Sequence, residues 1–130
     1  MSAVLEKGLY SKLSGGATLA GARVYPRLPQ GVTFPAIRYQ RISTLRNQAL
    51  SGPVGVTEAA VQVDCMAESY SEAKALADEV RVLLHGYRGA WSTLVARNVH
   101  LQTENDFYEQ DGDRITHWVS QRYQIWTDMD

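Results

Sequence analysis

Three runs decide the fold: P-A-I-R-Y-Q-R-I-S-T at residues 35–44, E-A-A-V-Q-V-D-C-M-A at residues 58–67, and Y-S-E-A-K-A-L-A-D-E-V-R-V-L-L at residues 70–84. In the first, Ile37, Tyr39 and Arg41 alternate with Arg38, Gln40 and Ile42, which predicts a strand over residues 36–43. In the second, Ala59, Val61, Val63 and Cys65 alternate with Glu58, Gln62 and Asp64. That period of two predicts a strand over residues 56–66 with one covered face and one wetter face. The third run opens on a capping box, Ser69-x-x-Glu72, in which the serine and the acid satisfy backbone donors that a first helical turn leaves open. Ala73, Leu76, Ala77, Val80, Leu83 and Leu84 then recur at spacings of three and four, so residues 71–85 read as an amphipathic helix. Gly86 stands where a left-handed residue closes such a helix.

Outward from that centre, Val4, Leu5, Leu9 and Leu13 predict a short helix over residues 3–13, halted by Ser14-Gly15-Gly16. A short strand is expected at residues 23–25, and Pro26, Pro29 and Gly31 then impose an irregular connection. Beyond Trp91, Val95, Arg97, Val99 and Leu101 alternate, and Ile115, His117, Val119, Gln121, Tyr123 and Ile125 alternate on the return, with Trp118 and Trp126 on the other face. Asp111-Gly112 marks a turn between them, because glycine tolerates the positive φ of a tight hairpin. The expectation is an α+β domain over residues 1–130: a mainly antiparallel sheet, two helices packed on one face and a long C-terminal β-hairpin.

Residues 44–55 read as an extended loop, with Ser51-Gly52-Pro53 as its turn signal. It is longer than most connections, and long loops without structure of their own tend to be functional. Leu45, Leu50, Val54 and Val56 make it too apolar for a purely solvating segment, so burial against another subunit is expected.

The bulk composition excludes several classes of function. A chain of 130 residues with a formal net charge of −1 has no global attraction for nucleic acid or anionic membrane. No apolar run approaches the ~18 residues of a membrane span, so a soluble cytoplasmic protein is expected. One cysteine, Cys65, allows no intramolecular disulfide and no thiolate cluster, and its place in the apolar alternation reads as a small core residue. His85, His100 and His117 lack metal-ligand spacing; only His100 and His117, as cross-strand neighbours on the hairpin, merit checking. The acids Glu104, Asp106, Glu109, Asp111 and Asp113 fail the calcium-loop pattern, since placing Gly112 at position six puts Phe107 where the first aspartate belongs. No serine has a nucleophile-elbow context and no glycine run matches a phosphate loop. Neither a catalytic set nor a cofactor site is expected. Arg38, Arg41 and Arg46 form the one basic cluster, a solvated strand face or a contact for an acidic partner or passing DNA.

The order of these segments resembles the tail completion (tail terminator, head–tail joining, minor tail protein U-like) family of long-tailed phages. The resemblance is carried by L-x-x-x-L-Y-x-x-L (Leu5, Leu9, Tyr10, Leu13), R-V-Y-P from Arg23, F-P-A-I-R-Y-Q-R-I-S-T from Phe34 and A-L-S-G-P from Ala49. V-Q-V-D-C from Val61, followed by Y-S-E-A-K-A-L-A-D-E-V-R from Tyr70, is its most specific part, and N-D-F-Y-E from Asn105 completes it. The resemblance implies a structural, non-enzymatic subunit of a homohexameric ring. That ring would cap the finished tail tube, end tube polymerisation and join the tail to the head-completion or connector protein, with DNA only in transit through its lumen and no membrane partner. It implies assembly in the host cytoplasm and a place at the head-proximal end of the virion tail. On that reading the candidate contact residues are Leu45, Arg46, Leu50, Pro53 and Val54 in the loop and Phe107 and Tyr108 on the hairpin, with Arg38 and Arg41 as candidates for the lumen or an acidic partner. Another tail or tail-like-device ring component with this fold is the alternative, and a small ligand-binding module the more distant one.

Overall fold

The computed structural model describes residues 4–49 and 52–128, with side chains for all of these except residues 4, 46–49 and 52–56. Along the chain run α1 (Val4–Ser14), β1 (Val24–Tyr25), β2 (Ala36–Ala49), β3 (Gly52–Ala67), α2 (Tyr70–Leu84), β4 (Gly89–Trp91), β5 (Leu94–Asp111) and β6 (Arg114–Asp128). The strands build one six-stranded sheet in the order β1-β2-β3-β6-β5-β4. β1 runs parallel to β2, and every other neighbouring pair is antiparallel. Both helices lie on one face, α2 across β3, β5 and β6, and α1 against α2, β1 and β4. This is the α+β architecture expected from the sequence.

The core sits between that face and the helices. Leu5, Leu9 and Leu13 of α1 and Ala73, Leu76, Ala77, Val80 and Leu84 of α2 meet the odd-numbered side chains Ala59, Val61, Val63, Cys65 and Ala67 of β3. Burying each large aliphatic chain contributes about 1.5–3 kcal/mol relative to leaving it in water. The serine half of the capping box is made: Ser69 Oγ accepts the Glu72 amide at 3.3 Å. Gly86 adopts φ +80° and donates its amide to the Val99 carbonyl at 2.6 Å, which ties the end of α2 to β5. Gly8, inside α1, leaves room for the Trp91 indole, since a Cβ there would stand 2.3 Å from Trp91 Cδ1. Trp91 Nε1 then donates to the Leu5 carbonyl at 2.8 Å, locking α1 to the short edge strand β4.

Two expectations need correction. Residues 44–49 and 52–55 are strand and not loop: β2 continues to Ala49 and β3 starts at Gly52, with Leu45 opposite Glu58, Arg46 opposite Thr57 and Gln48 opposite Pro53, while residues 50 and 51 lie outside the described residues. Register shifts at Arg41/Ser43 and Arg46/Gln48 break the period of two, so backbone pairing continues where side-chain alternation is lost. Pro53 is tolerated because it stands at the start of its strand, beside one of these irregularities. In β5, a shift between Ala96 and Asn98 turns Ala96 and Val99 inward and leaves Val95 half exposed, contrary to the alternation expected from Val95 onward. The C-terminal hairpin closes through Gly112 and Asp113, between the paired residues Asp111 and Arg114, with Gly112 at φ +62°.

Candidate functional site

The side chains with nucleophilic or acid–base chemistry near the core are committed to packing. Cys65 is fully buried beneath α2, 4.0 Å from Gln121 Oε1, and burial, followed by the nearby Asp64 and Glu104 charges, pushes its thiol pKa well up. Gln121, also fully buried, donates to the Ala77 carbonyl at 2.9 Å and to Glu104 Oε2 at 2.8 Å, and accepts from the Tyr123 hydroxyl at 2.8 Å. Every strong hydrogen-bonding atom of that glutamine is thus satisfied inside the fold, which is what burying an amide requires. His100 and His117, the pair that merited checking, are not cross-strand neighbours: His100 stands opposite Gln124 and His117 opposite Tyr108. Instead His85 and His100 have ring centroids 5.4 Å apart, and His85 Nδ1 accepts the Leu101 amide at 3.0 Å. Among the described residues no group of three or more His, Cys, Asp or Glu could hold a metal ion. No helix of the described residues is long and apolar enough to cross a membrane.

The outward-facing features lie at two ends of the sheet. The C-terminal hairpin presents Phe107 and Tyr108, 48% and 59% exposed, on opposite faces of β5. Phe107 stacks on Trp118 with centroids 5.5 Å apart, while Tyr108 stands 5.4 Å from the His117 ring. A clamp fixes the hairpin to α2: Asp106 accepts from the Tyr70 hydroxyl and from Lys74 Nζ, each at 2.9 Å. These bonds, that from Lys74 first, hold the Asp106 carboxyl below its ordinary pKa, and Asp106 in turn raises that of Lys74. Below the clamp, Arg114 donates to the Val32 carbonyl at 2.8 Å and lies 4.5 Å from the centroid of the Phe34 ring.

At the opposite end, the β2–β3 hairpin outruns its neighbours. β6 begins to pair with β3 only at Val56, and β1 reaches no further along β2 than Arg38. Of the residues expected to make contacts there, Leu45 is 57% exposed, the backbones of Arg46, Pro53 and Val54 lie in this arm, and Leu50 lies outside the described residues. The expected basic cluster is divided between faces. Arg38, on the open face of the sheet, donates to Asp64 Oδ2 through Nε at 3.0 Å and through a terminal nitrogen at 2.6 Å. Arg41, on the helix face, bonds Glu6 and Thr44 Oγ1, each at 3.0 Å. Neither partner acid is near its arginine in sequence, which is why the pairing could not be read there.

A further surface escaped the sequence reading. Where Pro26 follows β1, a groove of about 480 Å³ opens between α1 and β2, lined by Glu6, Lys7, Tyr10, Pro26 and Tyr39. Tyr10 is exposed and Tyr39 is buried at the floor, their rings 6.4 Å apart. Burial, the neighbouring Tyr10 and then Glu6 raise the Tyr39 pKa. The available signal was Tyr10 itself, an aromatic one place off the Leu5–Leu9–Leu13 stripe and hence on the flank of its helix.

An exposed aromatic hairpin, a projecting β2–β3 arm and an apolar groove are surfaces suited to contact with other proteins. The model of the family described as "Tail completion protein gp17" matches residues 7–128, and the chain belongs to that family: it is a structural protein of a phage-type tail. Among solved structures, a chain of the "Virion of native gene transfer agent (GTA) particle" is similar with a TM-score of 0.66 over 98% of this chain and 100% of that one. At 16% identity that likeness is one of fold. No curated protein matches the chain by sequence.

Proposed function

We propose that the protein, as a single domain over residues 1–130, closes a homohexameric ring on the head-proximal end of the tail tube. There it ends tube polymerisation and offers a face to the head-completion or connector protein, with DNA passing through the lumen. The observation that carries this reading is the projection of two hairpins from opposite ends of the sheet, one past β6 at Val56 and the other past β3 at Ala67. A ring subunit between a tube and a connector needs two docking ends, plus two dissimilar lateral surfaces for head-to-tail closure. The β2–β3 arm suits docking because a two-stranded ribbon alone is marginally stable in water and gains from a covering partner. Leu45, Arg46, Leu50, Pro53 and Val54 are proposed to meet that partner. Phe107 and Tyr108 act at the other hairpin, and Arg38 and Arg41 contribute positive charge near the lumen or at a partner contact.

Negative-stain imaging of particles made without this gene tests the proposal. Overlong tails, or DNA-filled heads separated from tails, are expected. Normal virions would leave the chain its family and fold but remove the terminating and joining role. A light-scattering mass near 87 kDa, six times 14.5 kDa, is expected of the closed ring.

A further inference from the structure

Strand β5 outruns the short strand beside it. β4 covers its outer edge only from Leu94 to Ala96, and the end of α2 covers the next stretch. There Gly86 donates its amide to the Val99 carbonyl at 2.6 Å, and His85 Nδ1 accepts the Leu101 amide at 3.0 Å. Those two bonds show which residues turn their backbone away from β6. In a strand of L-residues, side chains that share a face also share the edge to which their N–H and C=O point. Val99 and Leu101 pack on the helix face. The register shift between Leu101 and Thr103 then moves that face from odd to even numbers. Glu104 accordingly meets the buried Gln121, Asp106 meets Lys74, and Tyr108 meets His117, itself against Tyr70 of α2. Gln110 follows by alternation. The N–H and C=O of Glu104, Asp106, Tyr108 and Gln110 therefore point out past the side of the sheet, and among the described residues nothing bonds them. From Thr103 to Asp111 the pairing with β6 runs without a shift, and the stretch holds no proline and no lysine to blunt it.

We infer that residues 104–110 of β5 are a strand-addition site. An extended segment of the protein partner that meets the C-terminal hairpin pairs with this edge and adds a strand beside β5. The inference rests on the ring proposed above and gives the chemistry of one of its docking ends. Outward backbone groups alternating along a straight edge are matched by another extended backbone, whose main-chain bonds give affinity while its alternate side chains give selectivity. Lys74 and Arg114 brace the hairpin within its own fold, so little ordering cost falls on binding. Glu104 bonds the neutral Gln121 amide and forms no ion pair among the described residues, so a lysine or arginine is the complement opposite it. A second copy fits this edge poorly. Two copies of it bring Glu104 and Asp106 of each together, and like charges across a strand pair are destabilising. The other side of the sheet does not supply the strand either. Glu104 lies in one row with Gln121, Val63 and Tyr39, and from that row toward the hairpin tip β2 is already paired with β1 at Ile37 and Arg38.

Amide hydrogen exchange on the wild-type chain tests the site, comparing the purified protein with whole virions. In the purified protein, at 14.5 kDa or at about 87 kDa, the amides of Asp106, Tyr108 and Gln110 should exchange fast. Those of Asn105, Phe107 and Glu109, turned toward β6, should exchange slowly. In virions the first set should slow about ten-fold or more. A pair of variants separates backbone from side chain. Tyr108→Pro removes an N–H that makes no bond within the fold, as an edge position tolerates, while Tyr108→Ala keeps it. The proline variant should lower the yield of joined virions about ten-fold further than the alanine variant does. Equal losses would overturn strand addition and leave a side-chain contact. Slow exchange already present in a purified hexamer would make the occupant a second copy and overturn the inference. Fast exchange in virions that contain the chain would overturn the site and leave the ring standing. Normal virions made without the gene would overturn the ring and the site together.

Discussion

The two long hairpins have the same secondary structure and opposite surroundings. The β5–β6 hairpin is rooted in the core through Tyr123, Val119 and Ile125, clamped to α2 through Asp106 and steadied from below by Arg114. The β2–β3 arm has Ile37 and Tyr39 in the core at its base, but past Val56 its strands are paired only with each other. One hairpin is therefore part of what holds the molecule together, and the other is the one proposed to be held by a partner. The comparison predicts that damage at the root of the first appears in stability, and that damage to the second appears in assembly alone.

The largest effect is expected at the root of the C-terminal hairpin. Tyr123 is fully buried and its hydroxyl bonds Gln121, itself bonded to α2 at the Ala77 carbonyl. Tyr123→Ala removes a large core ring and should lower unfolding free energy by about 3–5 kcal/mol in urea titration. A loss under ~1 kcal/mol would mean that this hairpin, too, is peripheral to the fold, and the contrast would collapse.

At the tip of the same hairpin the effect should be smaller and purely conformational. A Cβ on Gly112 would meet no atom within 4 Å, so the penalty for Gly112→Ala comes from φ +62° alone. About 1–2 kcal/mol is expected from holding an ordinary residue in that region. A neutral result would show that the turn relaxes at no expense.

The clamp comes next, and pH gives it a signature. The Asp106 pKa is lowered from 3.8, so its contribution is complete above that pH and fades as pH falls through the lower folded value. The Lys74 pKa is raised from 10.5, so its contribution is complete below that pH and is lost as pH climbs through the higher folded value. Because both side chains are more than a third exposed, solvent screening limits the pair to under ~1 kcal/mol, weaker still in high salt. Asp106→Asn should cost up to that amount near neutrality, and the deficit should shrink as pH falls below 3.8. A deficit independent of pH and salt would point to lost packing in place of lost charge.

How far the sequence could be read follows from the same contrast. Helix α2 was legible because the capping box and the Ala73–Leu84 stripe are local signals that packing reinforces. β3 and β6 were legible because one face of each is buried, so Val61, Val63, Tyr123 and Ile125 had to alternate with wetter residues. The β2–β3 arm reads as a loop because Ser51-Gly52-Pro53 is a turn signal and two register shifts scramble the alternation along its strands. Strand β4 was too short to register, and its importance lies in Trp91 reaching across to Gly8 and Leu5, a contact over 86 positions of sequence. For the candidate site, Phe107 and Tyr108 stand in the N-D-F-Y-E motif, while the Tyr10–Tyr39 groove exists only once α1 and β2 are brought together. Arg38 and Arg41 looked like one cluster because they are close in sequence, although an odd separation in a strand sends them to opposite faces.

The smallest effect on stability should accompany the most complete loss of function. Replacing residues 47–56 by Asn-Gly would join Arg46 to Thr57, which already stand opposite each other, through a two-residue turn suited to a hairpin. The change removes the stretch of the arm beyond the β3–β6 ladder together with its terminal Val56–Asp128 pair, and keeps the buried Ile37, Tyr39, Thr57, Ala59 and Val61 in place. Unfolding free energy should move by no more than about 0.5 kcal/mol, the range of surface changes that touch no core, cap or buried network. Tails carrying this variant should nevertheless fail to be capped or joined, because the segment is proposed to meet the partner. Normal joining would remove the arm from the interface. A loss of several kcal/mol would instead place the arm inside the cooperative fold, and the two hairpins would then differ in position but not in kind.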